Sequence, residues 1–186
     1  LDAAHKYKRN MHKFVTDAMS MATLTQAVAE SCMYALPRGG KPIAGPSVRL
    51  AEICASAYGN LHVATRIVDV EDKFVVAQGV AWDLEKNLRA TIEVKRRITG
   101  RDGKRFNDDM IAVTGAAAAS IALRNAIFKV VPRSYVEAIY ARVKDVSVGN
   151  ASTLSQKRGE VVSRLQKMGV PVERIFARVG KSAIED

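Results

Sequence analysis

Residues 88–98 read LRATIEVKRRI. Leu88, Ala90, Ile92, Val94 and Ile98 fall on one side of this stretch; Arg89, Thr91, Glu93, Lys95 and Arg97 fall on the other. A period of two belongs to an extended chain whose successive side chains point to opposite faces. The stretch is therefore a strand with one apolar and one basic face. Toward the N-terminus, residues 73–82 (KFVVAQGVAW) and 61–70 (LHVATRIVDV) are rich in β-branched residues and form two further strands. Glu71 and Asp72 make a short turn between them, and residues 83–87 (DLEKN) a hairpin loop. Three consecutive strands joined by such short connections form an antiparallel meander.

Outside the meander the apolar period is helical. Residues 1–20 read as a polar helical segment. Residues 22–36 place Leu24, Val28, Cys32 and Leu36 at helical spacing, and Pro37 ends that run. A loop over 38–47 follows. Ser47 is an N-cap for a helix that closes at Gly59. After the meander, TGRDGKRFND (99–108) is a basic, glycine-containing loop, and Asn107 or Asp108 caps a long helix over 109–131. Its segment GAAAASIALRNAIF is nearly all small or apolar, which predicts a helix buried on every side and able to lie close against a sheet. The apolar run 110–123 is about 14 residues, and a membrane span needs roughly 20. Pro132 ends this helix and residues 133–146 form another.

After SVGNAS (147–152) the character changes. A helix with Leu154, Val161, Leu165 and Met168 in its stripe ends at Gly169. Pro171 opens a short helix with Ile175, Phe176 and Val179, and Gly180 ends it. Ser182 with Glu185 is a capping box for a further helix. The expected class is α+β: a three-stranded antiparallel meander flanked by helices, a long small-residue-rich helix packed on the sheet, and a small C-terminal helical subdomain. The expected division is 1–150 for the core with its N-terminal helices and 151–186 for the subdomain. The chain opens on Leu1, not Met, and is expected to be part of something longer. It shows no secretory leader pattern.

The chain of 186 residues is 48% hydrophobic, enough for a core, and carries a net charge of +10. A basic balance of this size points to a polyanion, most often nucleic acid. The excess is local. Residues 86–105 hold eight basic and two acidic residues, whereas residues 51–85 hold two basic and six acidic. Lys and Arg gathered on one face can displace counterions from a phosphate backbone; a solvated strand face is the plainer alternative. Cys32 and Cys54 lie in helical apolar patterns and read as buried thiols in a reducing compartment.

The stretch LPRGGKPIAGPSVRLAEI (36–53) looks like a phosphate cradle but is not a nucleotide loop. Such a loop needs Gly, four residues, then Gly-Lys-Ser/Thr. Here Lys41 directly follows Gly39 and Gly40, and Pro42 has no N–H to donate. No H-E-x-x-H, G-x-S-x-G or C-x-x-C motif is present, so no catalytic residue and no cofactor are assigned. Asp69, Glu71, Asp72, Asp83 and Glu85 read as turn residues, with a metal-binding carboxylate set as the alternative. Arg124 follows fourteen uncharged residues on a helix expected to be buried. An unpaired buried guanidinium is costly. Either it pairs with an acid such as Glu52 or Asp83, or it lines a groove that receives an anion. Aromatic residues are only 6%; Trp82 and Phe106 lie near the basic region, where a base could stack, but Trp82 reads as core.

The G-P-S-x-R-L-A-E stretch, the order of helix, meander, basic loop and long helix, and the A-L-R within that helix together resemble the phage single-strand annealing proteins of RecT, Erf and Red-beta type. Their core is similar to that of the eukaryotic annealing mediator of the Rad group. The resemblance covers about residues 21–146. It implies ATP-independent binding of single-stranded DNA and annealing of complementary strands, without enzymatic turnover, in a ring or filament of identical subunits. It implies an annealed duplex intermediate, a phage exonuclease and a host single-strand binding protein as partners, a bacterial host cytoplasm, and no membrane. Carried over by position, Arg124 and Lys129 would line a basic groove between meander and long helix. Arg89, Lys95, Arg97, Lys104 and Arg105 would track phosphates, and Arg38, Lys41 and Arg49 would meet the DNA backbone. The alternative is a helix-turn-helix regulator of double-stranded DNA built on residues 161–181.

Overall fold

The computed structural model describes residues 2–38, 41–148 and 151–179, excepting the side chains of 37, 38, 41, 42, 151–157 and 179. The expected stop at Gly180 and the Ser182–Glu185 capping box lie outside the described residues.

The meander forms as expected. Strands β3 (Leu61–Val70), β4 (Phe74–Asp83) and β5 (Leu88–Arg97) make an antiparallel sheet with β4 in the middle. Ala81 pairs with Val63 and Ala90, and Gly79 with Thr65 and Ile92. A register shift between Ile67 and Asp69 marks a bulge in the edge strand β3.

Helix α5 (Asp108–Val130) lies across one face of this sheet. Asn107 is its N-cap, its side chain accepting the Met110 N–H at 2.9 Å. The small residues do what their size allows: at Gly79 the sheet and helix backbones approach so closely that a Cβ there would fall on the backbone of Ala122. Thr65 Oγ1 donates to the Ala119 carbonyl at 3.3 Å. The expectation of burial all round is corrected. Only 28% of the most apolar 18-residue window of α5 is buried, and Met110 and Val113 are exposed. The sheet covers one side of the helix, and the 14-residue apolar run lies within a helix of 23 residues, which by length and composition alone is long and apolar enough to cross a membrane.

Helices α2 (Met11–Ala22), α4 (Val48–Tyr58) and α6 (Arg133–Val148) complete the main core around Phe14, Leu50, Cys54, Tyr58, Ile127 and Ile139. Phe14 meets Tyr58 edge-on at 5.0 Å between ring centroids. Cys32 and Cys54 are buried and unbridged, and burial, with Cys32 nearby, pushes the Cys54 thiol up to about 12.

The expected helix over 22–36 and loop over 38–47 are corrected. Thr25 caps a short new helix, α3 (Gln26–Ser31), and the chain then forms a hairpin of β1 (Met33–Arg38) and β2 (Lys41–Pro46). Arg38 pairs with Lys41 and Pro37 with Pro42. A two-stranded ribbon leaves each strand an unpaired edge, where proline is tolerated. Leu24 and Leu36, expected in a helical stripe, are 75% and 59% exposed. The N-terminal segment also contains α1 (Asp2–Lys6), and the tail is α7 (Ala151–Lys167) and α8 (Val172–Val179), which pack on each other. Gly169, at φ 81°, ends α7.

Candidate nucleic-acid interface

Two surfaces carry basic residues, on opposite sides of the sheet. The first is an open cavity of about 700 Å³ lined by β2, α5 and α6, with Ile92 of β5 at its edge. Asn125, Phe128 and Lys129 enter it from α5, and Arg133 and Tyr140 from α6. Arg124 stands beside it. Its Nε and Nη2 donate to Asn125 Oδ1 at 3.2 and 3.0 Å, and its guanidinium lies 4.9 Å from the centroid of the Tyr34 ring. Tyr34 in turn lies against Gly45, its partner across the hairpin, where a Cβ would meet the Tyr34 hydroxyl at 2.9 Å. The hairpin therefore supplies the aromatic face on which Arg124 rests.

Neither acid considered for Arg124 reaches it. Glu52 pairs with Arg49 at 3.0 Å and Asp83 with Arg9 at 2.9 Å. Among the described residues Arg124 makes no ion pair. Arg133 pairs with Glu137 at 2.6 Å, both exposed. Burial, and then the Tyr34 phenol nearby, raise the Tyr140 pKa.

The second surface is the sheet face turned away from α5. Because odd-numbered residues of β5 point there, it carries Arg89, Lys95 and Arg97, together with Arg66 and His62 of β3. Lys95 is held by Glu71 at 2.6 Å, which raises its pKa. Arg66, Arg89 and Arg97 make no ion pair among the described residues. Trp82, expected in the core, lies on this face and lines a depression with His62, Arg66 and Arg89. It is on the even register of β4, opposite the inward-facing Ala81.

The structure thus does not gather the sequence-derived residues into one groove between meander and α5. Arg124 and Lys129 are on the helix side, and Arg89, Lys95 and Arg97 on the open side; the pleat separates them. Arg105 is structural: its Nη1 donates to the carbonyls of Glu71 and Asp72 at 2.7 and 2.8 Å, tying the basic loop to the β3–β4 turn. Lys104 is exposed in that loop. Arg49 is exposed in the first turn of α4. Arg38 and Lys41 flank the hairpin link, and their side chains lie outside the described residues.

Tyr34, Arg66 and Arg133 were not assigned a role from sequence, and Trp82 was read as core. Arg66 alternates with Ala64 and His62, a signal of the same kind that located Arg89. Tyr34 was hidden by the helical reading of its segment. Among the described residues no cluster of His, Cys, Asp and Glu could hold a metal ion. Asp83 and Glu85 instead accept from Arg9. Comparison with protein-family models, curated proteins and solved structures finds no match.

Proposed function

We infer that the chain binds single-stranded DNA and anneals complementary strands without ATP, as an assembly of identical subunits of the phage annealing type. The observation that carries this reading is Arg124. It is a half-buried guanidinium with no carboxylate partner among the described residues, resting on Tyr34 next to Asn125, which lines an open cavity together with Lys129 and the paired Arg133 and Glu137. A partly buried cation without an acid is stabilised when a phosphate arrives. Guanidinium stacked on an aromatic ring is held in one orientation, ready for two-pronged contact with phosphate oxygens.

Two features support assembly. The edge strand β3 leaves Ile67, Val68 and Val70 exposed, and α5 leaves Met110 and Val113 exposed. Apolar surface at an unpaired sheet edge is the kind that a neighbouring copy covers. A ring or filament also places many moderate phosphate sites in series, so that a weak contact per subunit becomes a strong grip on a long strand.

The test is annealing of two complementary fluorescent oligonucleotides with no nucleotide present. Acceleration that falls in Arg124→Ala supports the reading. No acceleration, with preference for duplex, would transfer the function to the α7–Gly169–α8 helix pair as a duplex-binding element.

A further inference from the structure

We propose that the open face of β3–β4–β5 is a second nucleic-acid site, in which an unpaired base stacks on Trp82 while Arg66 and Arg89 hold the flanking phosphates. The proposal rests on the nucleic-acid reading above and adds to it a base-contacting subsite on the far side of the sheet.

The register builds the site. His62, Trp82 and Arg89 are direct cross-strand neighbours, one residue from each strand. Two residues further along the same face, Ala64, Val80 and Thr91 form a row of smaller side chains. Two residues beyond that come Arg66, Gln78 and Glu93. The outer rows are therefore about 13 Å apart, with a low floor between them. The result is a depression of about 500 Å³ lined by His62, Ala64, Arg66, Gln78, Trp82 and Arg89. That volume suits a nucleobase with its sugar.

The ring is held in place. Trp82 Nε1 donates to Asn87 Oδ1 at 3.3 Å, and Asn87 sits at φ 53° in the β4–β5 turn. A left-handed turn residue thus tethers one edge of the indole before any ligand arrives. The cations are equally specific. Arg66 and Arg89 are exposed, stand at the two ends of the depression, and form no ion pair among the described residues. The one carboxylate in the outer row, Glu93, accepts from Gln78 Nε2 at 3.2 Å. An aromatic face beside one guanidinium, with a second across the depression, is chemistry suited to a stacked base and its phosphates.

Trp82 is the only tryptophan in the chain, so its emission reports on this face alone. The experiment titrates the whole chain with a labelled oligodeoxythymidylate, following tryptophan emission and label anisotropy together. The expected result is quenching that saturates with the anisotropy. An abasic oligomer of equal length should raise the anisotropy and leave the emission unchanged. Arg89→Ala and Arg66→Ala should each weaken the quench-detected affinity about tenfold. Trp82→Leu should do the same by anisotropy, and the two arginine variants, being exposed, decide the matter if that one fails to fold. Saturating anisotropy with unchanged emission would overturn the proposal and leave the groove reading standing. No rise in anisotropy would overturn both. Emission that changes with protein concentration alone would give this face to a second copy of the chain and overturn the proposal.

Discussion

Arg9 grips Asp83 with both terminal nitrogens, each 2.9 Å from a carboxylate oxygen, and the pair is buried, with side-chain exposures of 3% and 0%. The same guanidinium donates to the Tyr58 and Gly59 carbonyls and lies 3.5 Å from the centroid of the Tyr58 ring. Asp83 also accepts the Glu85 and Lys86 amides at 3.0 and 3.2 Å. One ion pair therefore joins the segment before α2, the end of α4 and the β4–β5 turn. Removing one partner leaves a buried charge alone, which costs about 3–5 kcal/mol. Asp83→Asn keeps the shape and loses the charge. It should lower the unfolding free energy by about 3 kcal/mol, read from urea midpoints by circular dichroism.

The same pair sets a pH dependence. Burial by itself pushes the Asp83 carboxyl up, but the Arg9 hydrogen bonds, the Lys86 and Glu85 amides and the Arg9 charge together outweigh it and hold the carboxyl below its usual value. A group whose folded pKa is depressed stabilises the fold above its unfolded value, about 3.9, and loses that contribution as pH falls through the folded one. Urea midpoints should thus be steady from about pH 7 to 5 and drop below about pH 4. Asp83→Asn should show a shallower acid drop. An identical slope in the two proteins would remove Asp83 from this role.

Gly79 is where sheet and long helix touch through their backbones. A methyl group there meets main chain of Ala122, and Leu123 N at 2.6 Å, neither of which can rotate away. Gly79→Ala should cost about 3 kcal/mol by forcing α5 off the sheet. Gly159→Ala, in α7 with open space around its Cβ position, should be neutral or stabilising by about 0.5–1 kcal/mol. Thermal unfolding of the two variants, side by side, reads the difference.

Arg124→Ala should weaken binding to single-stranded DNA about tenfold and reduce the salt slope by about 0.7. Arg124→Lys keeps the charge but loses the planar two-pronged fork, so it should recover only part of the affinity. Stability should hardly change, since among the described residues Arg124 makes side-chain hydrogen bonds only to the adjacent Asn125. Anisotropy titrations at several salt concentrations give both affinities and the slope, and urea midpoints give the stability. A variant that binds as the parent does would take Arg124 out of the interface.

Val113, 62% exposed on an apolar helix, should lie in a subunit contact. Val113→Glu should then shrink the assembly in light scattering while far-ultraviolet circular dichroism stays the same. An unchanged mass would place the contact elsewhere.

The sequence by itself determined the meander and its helix. The alternation of Leu88–Arg97 and the turn residues between strands act within a few residues of chain, and Asn107 caps α5 by a bond three residues long. Local chemistry of that kind can be read without a fold. Period alone also told which β5 side chains share a face.

What only the tertiary structure decided is what each face meets. Tyr34 read as part of a helix because apolar spacing in a short segment suits either period, and its pairing with Gly45 spans the Gly-Gly link. The Arg9–Asp83 pair joins residues 74 apart in the chain, so no local pattern announces it. Trp82 read as core by its size, yet the pleat turns it outward because Ala81 takes the inward place. The basic residues were legible as a cluster along the chain. Their division between two sides of the sheet followed from where α5 lies, and that was set by the space above Gly79.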